Sequence, residues 1–94
     1  MKTIHKYPLP VDYVSTIKMP MGAEILCAKT RGGEDITLWA MVETDADLEL
    51  RCFCVVGTGM EVPIIDGANL KFIDTVILRG GKLAFHVFEV FKAK

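Results

Sequence analysis

The chain has 94 residues, 51% of them apolar, and its eleven Lys and Arg against twelve Asp and Glu leave a net charge of −1. That length excludes a second independent core and makes residues 1–94 a single domain near the small end of the usual range. The balanced charge excludes the basic field that binds a DNA or RNA polymer, and no apolar run reaches the roughly 18 residues that span a bilayer.

The first ten residues, MKTIHKYPLP, lack the apolar centre of a signal peptide, which predicts a cytoplasmic protein with no membrane contact. Thr3 to Tyr7 alternates as a strand does, and Pro8 and Pro10 remove backbone donors. This segment is therefore an edge strand that ends in an extended, polyproline-like stretch. Val11 to Met19 alternates again as a second strand, closed by a turn over Pro20-Met21-Gly22-Ala23.

Glu24 to Glu43 is a hairpin in which two apolar runs flank Arg31-Gly32-Gly33-Glu34. A two-residue Gly32-Gly33 loop predicts Lys29 opposite Ile36, Cys27 opposite Leu38 and Ile25 opposite Ala40. Thr44 to Asp47 is a polar connection. In Leu48 to Val56 the residues Leu48, Leu50, Cys52, Cys54 and Val56 share one face, with Glu49, Arg51, Phe53 and Val55 on the other. Gly57 to Asn69 is the longest irregular segment, with room for at most one short turn of helix, and loops of that length in a small domain often carry function.

Leu70 to Phe91 is a second Gly-Gly hairpin, around Gly80-Gly81. Its expected register places Leu78 opposite Leu83, Val76 opposite Phe85, Thr75 opposite His86, Asp74 opposite Val87, Ile73 opposite Phe88 and Phe72 opposite Glu89. Both faces are mostly apolar, so this hairpin lies between two layers or packs one face on another subunit. The high apolar content of so short a chain likewise predicts a homo-oligomer. Together the segments predict an all-β domain of six or seven antiparallel strands in successive hairpins, forming a small barrel or sandwich with little helix.

Catalytic signals are weak. His86 is the only histidine beyond the N-terminal strand. Thr75 is expected opposite it, but alternation turns Asp74 to the other face, so no nucleophile, base and orienting acid assemble. Cys27, Cys52 and Cys54 cannot all pair within one chain, and a zinc site has only His5 and His86 to add, which leaves the cysteines as core thiols and implies no metal or cofactor.

The binding candidates each have a packing alternative that is favoured residue by residue, with Trp39 as core filler opposite Leu26, Arg51 as a solvated strand residue and Tyr7 as a packing residue before the prolines. Tyr7, Trp39 and Phe53 offer rings, while Arg51 and His5 offer charge-assisted or polar contacts to a planar, phosphorylated ligand. Gly57-Thr58-Gly59 resembles part of a phosphate-cradling loop, although it lacks the further glycines, the lysine and the helix of the established nucleotide fingerprints.

Four stretches together resemble a family of short proteins from tailed phages and prophages. They are Ile4-His5-Lys6-Tyr7-Pro8-Leu9, Gly22-Ala23-Glu24-Ile25-Leu26 with Leu38-Trp39-Ala40, Val55-Val56-Gly57-Thr58-Gly59, and Phe85-His86-Val87-Phe88. The resemblance covers nearly the whole chain in order and transfers no catalytic motif. It implies a phage origin and a place of action in the bacterial host cytoplasm.

In size and expected oligomerisation the chain is similar to anti-defence sponges, which sequester the nucleotide signals of bacterial immunity. By that analogy Tyr7, Trp39 and Phe53 stack on a small nucleotide-derived ligand at a subunit interface. His5, Lys6 and Arg51 then contact phosphate, and Gly57, Thr58 and Gly59 supply backbone donors. The alternative is a protein-binding inhibitor or accessory subunit that docks a host or phage protein through an apolar sheet face. A phosphodiesterase-like enzyme is a third expectation, opposed by the lack of clustered metal ligands.

Overall fold

In the computed structural model, which describes residues 1–92, alternation and turn chemistry yield seven strands and almost nothing else. These are β1 (Lys2–Leu9), β2 (Ser15–Pro20), β3 (Glu24–Lys29), β4 (Ile36–Glu43), β5 (Leu48–Gly57), β6 (Ala68–Leu78) and β7 (Leu83–Lys92). They form two antiparallel sheets, one ordered β1-β4-β3 and the other β2-β5-β7-β6. The all-β expectation holds, and β1 lies at a sheet edge, where Pro8 costs no central hydrogen bond.

One core serves both sheets. Leu9, Ala28, Ile36, Leu38, Ala40 and Val42 come from the three-stranded sheet, and Met19, Phe53, Val55, Val76, Leu78 and Val87 from the four-stranded one. The shortest principal extent, 15 Å, suits two sheets stacked at the usual spacing of about 10 Å. Along one side β3 comes close to β6. No ladder joins them, and instead the Asp74 carboxylate accepts the Ala28 N–H at 3.2 Å and pairs with Lys29 Nζ at 3.0 Å.

Both Gly-Gly hairpins form, as β3-β4 and β6-β7, but each departs from an ideal two-residue loop. The first closes with a longer Thr30–Asp35 loop, which shifts the pairing to Lys29 with Thr37, Ala28 with Leu38 and Cys27 with Trp39. A bulge between Ile25 and Cys27 then restores the expected Ile25–Ala40 pair. The Asp35 carboxylate organises that loop, accepting the N–H groups of Gly32 at 2.9 Å and Arg31 at 3.2 Å. The Gly32 N–H is the main reason its carboxyl sits below the ordinary range; slight burial opposes the shift, and the Arg31 N–H and the Thr37 and Thr30 hydroxyls reinforce it.

The second hairpin keeps the expected register from Leu78–Leu83 to Asp74–Val87. A bulge between Phe72 and Asp74 then places Phe72, rather than Ile73, opposite Phe88, and Lys71 opposite Glu89. The two hairpin tips also meet: Arg79 N–H donates to Gly33 C=O at 2.8 Å, and Arg79 Nε reaches Glu34 at 3.1 Å.

The second strand begins later than alternation alone predicts. Val11 to Val14 is irregular, because this segment carries the chain from one sheet to the other, and β2 extends instead through Pro20. On β5, Phe53 and Val55 face the core, and Arg51 shares their face by alternation. Leu48 and Leu50, on the row that composition marks as apolar, point outward and are 60% and 67% exposed. Farther along that outward row, Cys54 and Val56 are buried. β5 and β6 flank β7, so the connection between them must cross β7, and its buried Pro63 and the adjoining residues roof the outer surface there.

Candidate functional site

The nine residues expected at a ligand site occupy separate regions. His5 and Tyr7 share one face of β1, with the Tyr7 hydroxyl 3.5 Å from His5 Nδ1. Burial pushes the Tyr7 hydroxyl above its ordinary pKa. Lys6 points to the opposite side, in register with Trp39 on β4. Phe53 is fully buried and offers a ligand no surface. These side chains do not converge.

Arg51 is already occupied. Its Nε and Nη2 donate to the two Glu89 carboxylate oxygens at 2.6 and 3.0 Å, and Nη1 donates to Ala23 C=O at 2.8 Å. The side chains of Arg51 and Glu89 are only 16% and 15% exposed. Glu89 raises the guanidinium's already high pKa, against the opposing effect of burial. Sequence reasoning missed Glu89, although one acid within Phe85–Phe91, FHVFEVF, signals a buried partner because isolated buried charge is costly.

Gly57-Thr58-Gly59 is a strand-ending turn. Thr58 N–H donates to Ala84 C=O at 3.2 Å and Met60 N–H to Gly57 C=O at 3.0 Å, so both donors are engaged internally. Gly59 has φ +84°, a left-handed conformation that favours glycine at this bend. His86 ties the turn to the sheet, with Nε2 2.7 Å from Thr58 Oγ1 and Nδ1 2.9 Å from Thr75 Oγ1. Asp74 lies on the other face of β6, bound to Ala28 and Lys29. His86 therefore has hydroxyl partners on both nitrogens, and these contacts hold the turn against β6 and β7.

Beside this turn, at the end of the sandwich that carries the hairpin tips, is an open cavity of about 490 Å³. Val11, Asp12 and Tyr13 line it from the β1–β2 connection, Gly57, Thr58 and Met60 from the turn, and Lys82, Leu83 and Phe85 from the start of β7. Its walls are mainly apolar, with one carboxylate (Asp12), one ammonium (Lys82) and two hydroxyls (Tyr13 and Thr58). Gly57 matters by its size: a Cβ there would lie 3.1 Å from Met60 Cγ and 3.6 Å from Phe85 Cε1. Ser15, just beyond Tyr13, has a buried hydroxyl without a hydrogen-bond partner.

Of the expected residues, Gly57 and Thr58 line this cavity, and Gly59 lines a smaller groove beside it with His86 and Phe88. Asp12, Tyr13, Lys82 and Phe85 were missed. Pro10 followed by Asp12 was the available sign that Val11 to Val14 is a loop able to present Tyr13.

The domain model that matches this chain covers residues 1–94. The chain belongs to the DUF7352 family, a domain of unknown function. No curated protein and no solved structure matches it. Among the described residues, no group of three or more His, Cys, Asp or Glu side chains has the arrangement of a metal site, all three cysteines are free, and no helix is long and apolar enough to cross a membrane.

Proposed function

We propose that this domain is a stoichiometric binding protein that takes a small nucleotide-derived ligand into the cavity lined by Tyr13 and Phe85. The observation that carries the proposal is that cavity itself: about 490 Å³, mainly apolar, with two aromatic rings and three polar side chains on its wall. Its volume and composition are those of small-molecule sites generally. Tyr13 and Phe85 supply ring surface for a base, worth about 1–3 kcal/mol when stacking is complete. Lys82 pairs with phosphate, and Asp12 accepts from an exocyclic amine.

The hydroxyl-bound His86 supports retention rather than turnover. The likeness to short phage proteins supports a phage-encoded anti-defence role in the host cytoplasm, with a nucleotide immune signal as ligand.

Native mass spectrometry of the full chain tests this, using protein purified from infected cells that express a defence system and from naive cells. The expected result is a nucleotide released on denaturation from the first sample alone, at fixed stoichiometry, with Lys82→Ala reducing its recovery at least about tenfold. Ligand-free protein from both samples overturns the proposal.

A second function, docking a protein partner or another copy, is favoured by the outward apolar surface. Ile4 is 55% exposed on the outer face of the three-stranded sheet, beside half-buried Trp39 and Met41, and Leu48 and Leu50 are exposed on the other sheet. Patches of this kind usually mark association sites.

A further inference from the structure

A second cavity, of about 200 Å³, lies at the opposite end of β5, where β3 and β6 come together. Six residue steps separate Arg51 from Gly57 along β5, which places the two cavities about 20 Å apart. Both facing edge strands are bulged at this cavity, β3 at Leu26 and β6 at Ile73, and both bulged residues line it. Bulges part or redirect strands, and they are enriched beside functional sites. Here they open a gap next to the Asp74 clasp that closes the rest of the seam.

The charges around this gap are distinctive. Arg51 and Glu89 line it as a pair whose hydrogen bonds are already made to each other and to Ala23. Lys71 and Glu24 also line it, and among the described residues neither makes an ion pair. The cavity therefore combines a neutral, internally satisfied charge pair with one uncommitted cation and one uncommitted anion. Ile25, Leu26, Phe72 and Ile73 supply the apolar remainder.

We propose that this seam cavity binds a small zwitterion of α-amino-acid size with an apolar side chain. The ligand carboxylate pairs with Lys71, its ammonium with Glu24, and its side chain packs on the bulge residues. Water occupies about 30 Å³ per molecule in the liquid, so a cavity of this size holds on the order of six waters or one compact organic molecule. A zwitterion satisfies both uncommitted charges and adds no net charge to the site. A simple anion or cation leaves one of them without a partner. This site is independent of the nucleotide proposal and stands if that proposal fails.

The test is an amide NMR titration of the isotopically labelled full chain with L-leucine, beside N-acetyl-leucine, which lacks the ammonium, and leucinamide, which lacks the carboxylate. The expected result is saturable movement of the amides of residues 23–26 and 71–73 with L-leucine, at a dissociation constant on the order of 1 mM, and binding at least about tenfold weaker for each analogue. Lys71→Met and Glu24→Gln, both exposed positions, should each weaken L-leucine binding by a similar factor while the remaining spectrum confirms the fold. Absence of saturable movement up to about 10 mM L-leucine, or equal responses to all three compounds, overturns the proposal.

Discussion

Replacing Glu89 by Leu tests how much the Arg51–Glu89 pair, which joins the neighbouring strands β5 and β7 of one sheet, contributes to stability. Removing one partner of a buried ion pair typically costs about 3–5 kcal/mol, because the remaining charge stays desolvated. Here the side chains retain 16% and 15% exposure and Arg51 keeps its bond to Ala23 C=O, so the cost falls at or just below the bottom of that range, about 2–3 kcal/mol. For a domain of this size that lowers the urea midpoint by about 1–3 M and the melting temperature by about 10–20 °C.

Arg51→Met should cost less, since Lys71 stands opposite Glu89 in register and can partly compensate the freed carboxylate. The double variant Arg51→Met/Glu89→Leu should lie within about 1–2 kcal/mol of the parent protein, because apolar replacements of similar volume remove both desolvation costs together. Chemical denaturation of all four proteins gives the coupling energy. A Glu89→Leu cost below about 0.5 kcal/mol, or a double variant that costs the sum of the singles, would refute the argument.

Phe53→Ala should remove about 3–5 kcal/mol by opening a cavity at a fully buried ring, a large part of the roughly 5–14 kcal/mol available to a chain of this length; thermal unfolding measures it. For Asp74, partial burial raises the carboxyl pKa, but the Lys29 ammonium and the N–H groups of Ala28 and Thr75 outweigh it and leave the value below the ordinary one. The unfolded chain therefore takes up that proton first on acidification. The contribution is full above the ordinary aspartate pKa of about 3.9 and is lost as pH falls through the lower folded value, so Asp74→Asn should lower the neutral-pH urea midpoint and flatten the acid limb. Thr58→Val should leave global stability nearly unchanged but speed amide exchange at Thr58 and Met60, because it removes the hydroxyl that meets His86. Ile4→Lys should shift any self-association through the three-stranded sheet toward monomer, as measured by light scattering after size-exclusion chromatography, whereas unchanged mass would exclude that face as the interface.

The strands themselves were readable because backbone alternation and Gly-Gly loops are local signals, and local signals placed both hairpins and the start of the last one's register. The bulges at Leu26 and Ile73 were not readable, since alternation within a strand carries no mark of where its pairing with the neighbouring strand slips by one residue. On β5 the local pattern marks Leu48 and Leu50 as apolar, yet the structure turns them outward and places Phe53 and Val55 in the core, with Arg51 on their face. A one-residue choice of facing reverses an entire strand, and only the sheet opposite decides it.

The candidate site divides in the same way. Gly57 and Thr58 could be singled out from sequence because a glycine-bounded turn ends a strand visibly. Tyr13, Lys82 and Phe85 join them only because separate loops meet at one end of the sandwich. The sequence by itself determined that this is a β protein with two Gly-Gly hairpins and an uncommonly apolar composition. The tertiary structure decided which faces are inside, that Arg51 belongs to Glu89, and where cavities open, because each depends on contacts between residues far apart in the chain.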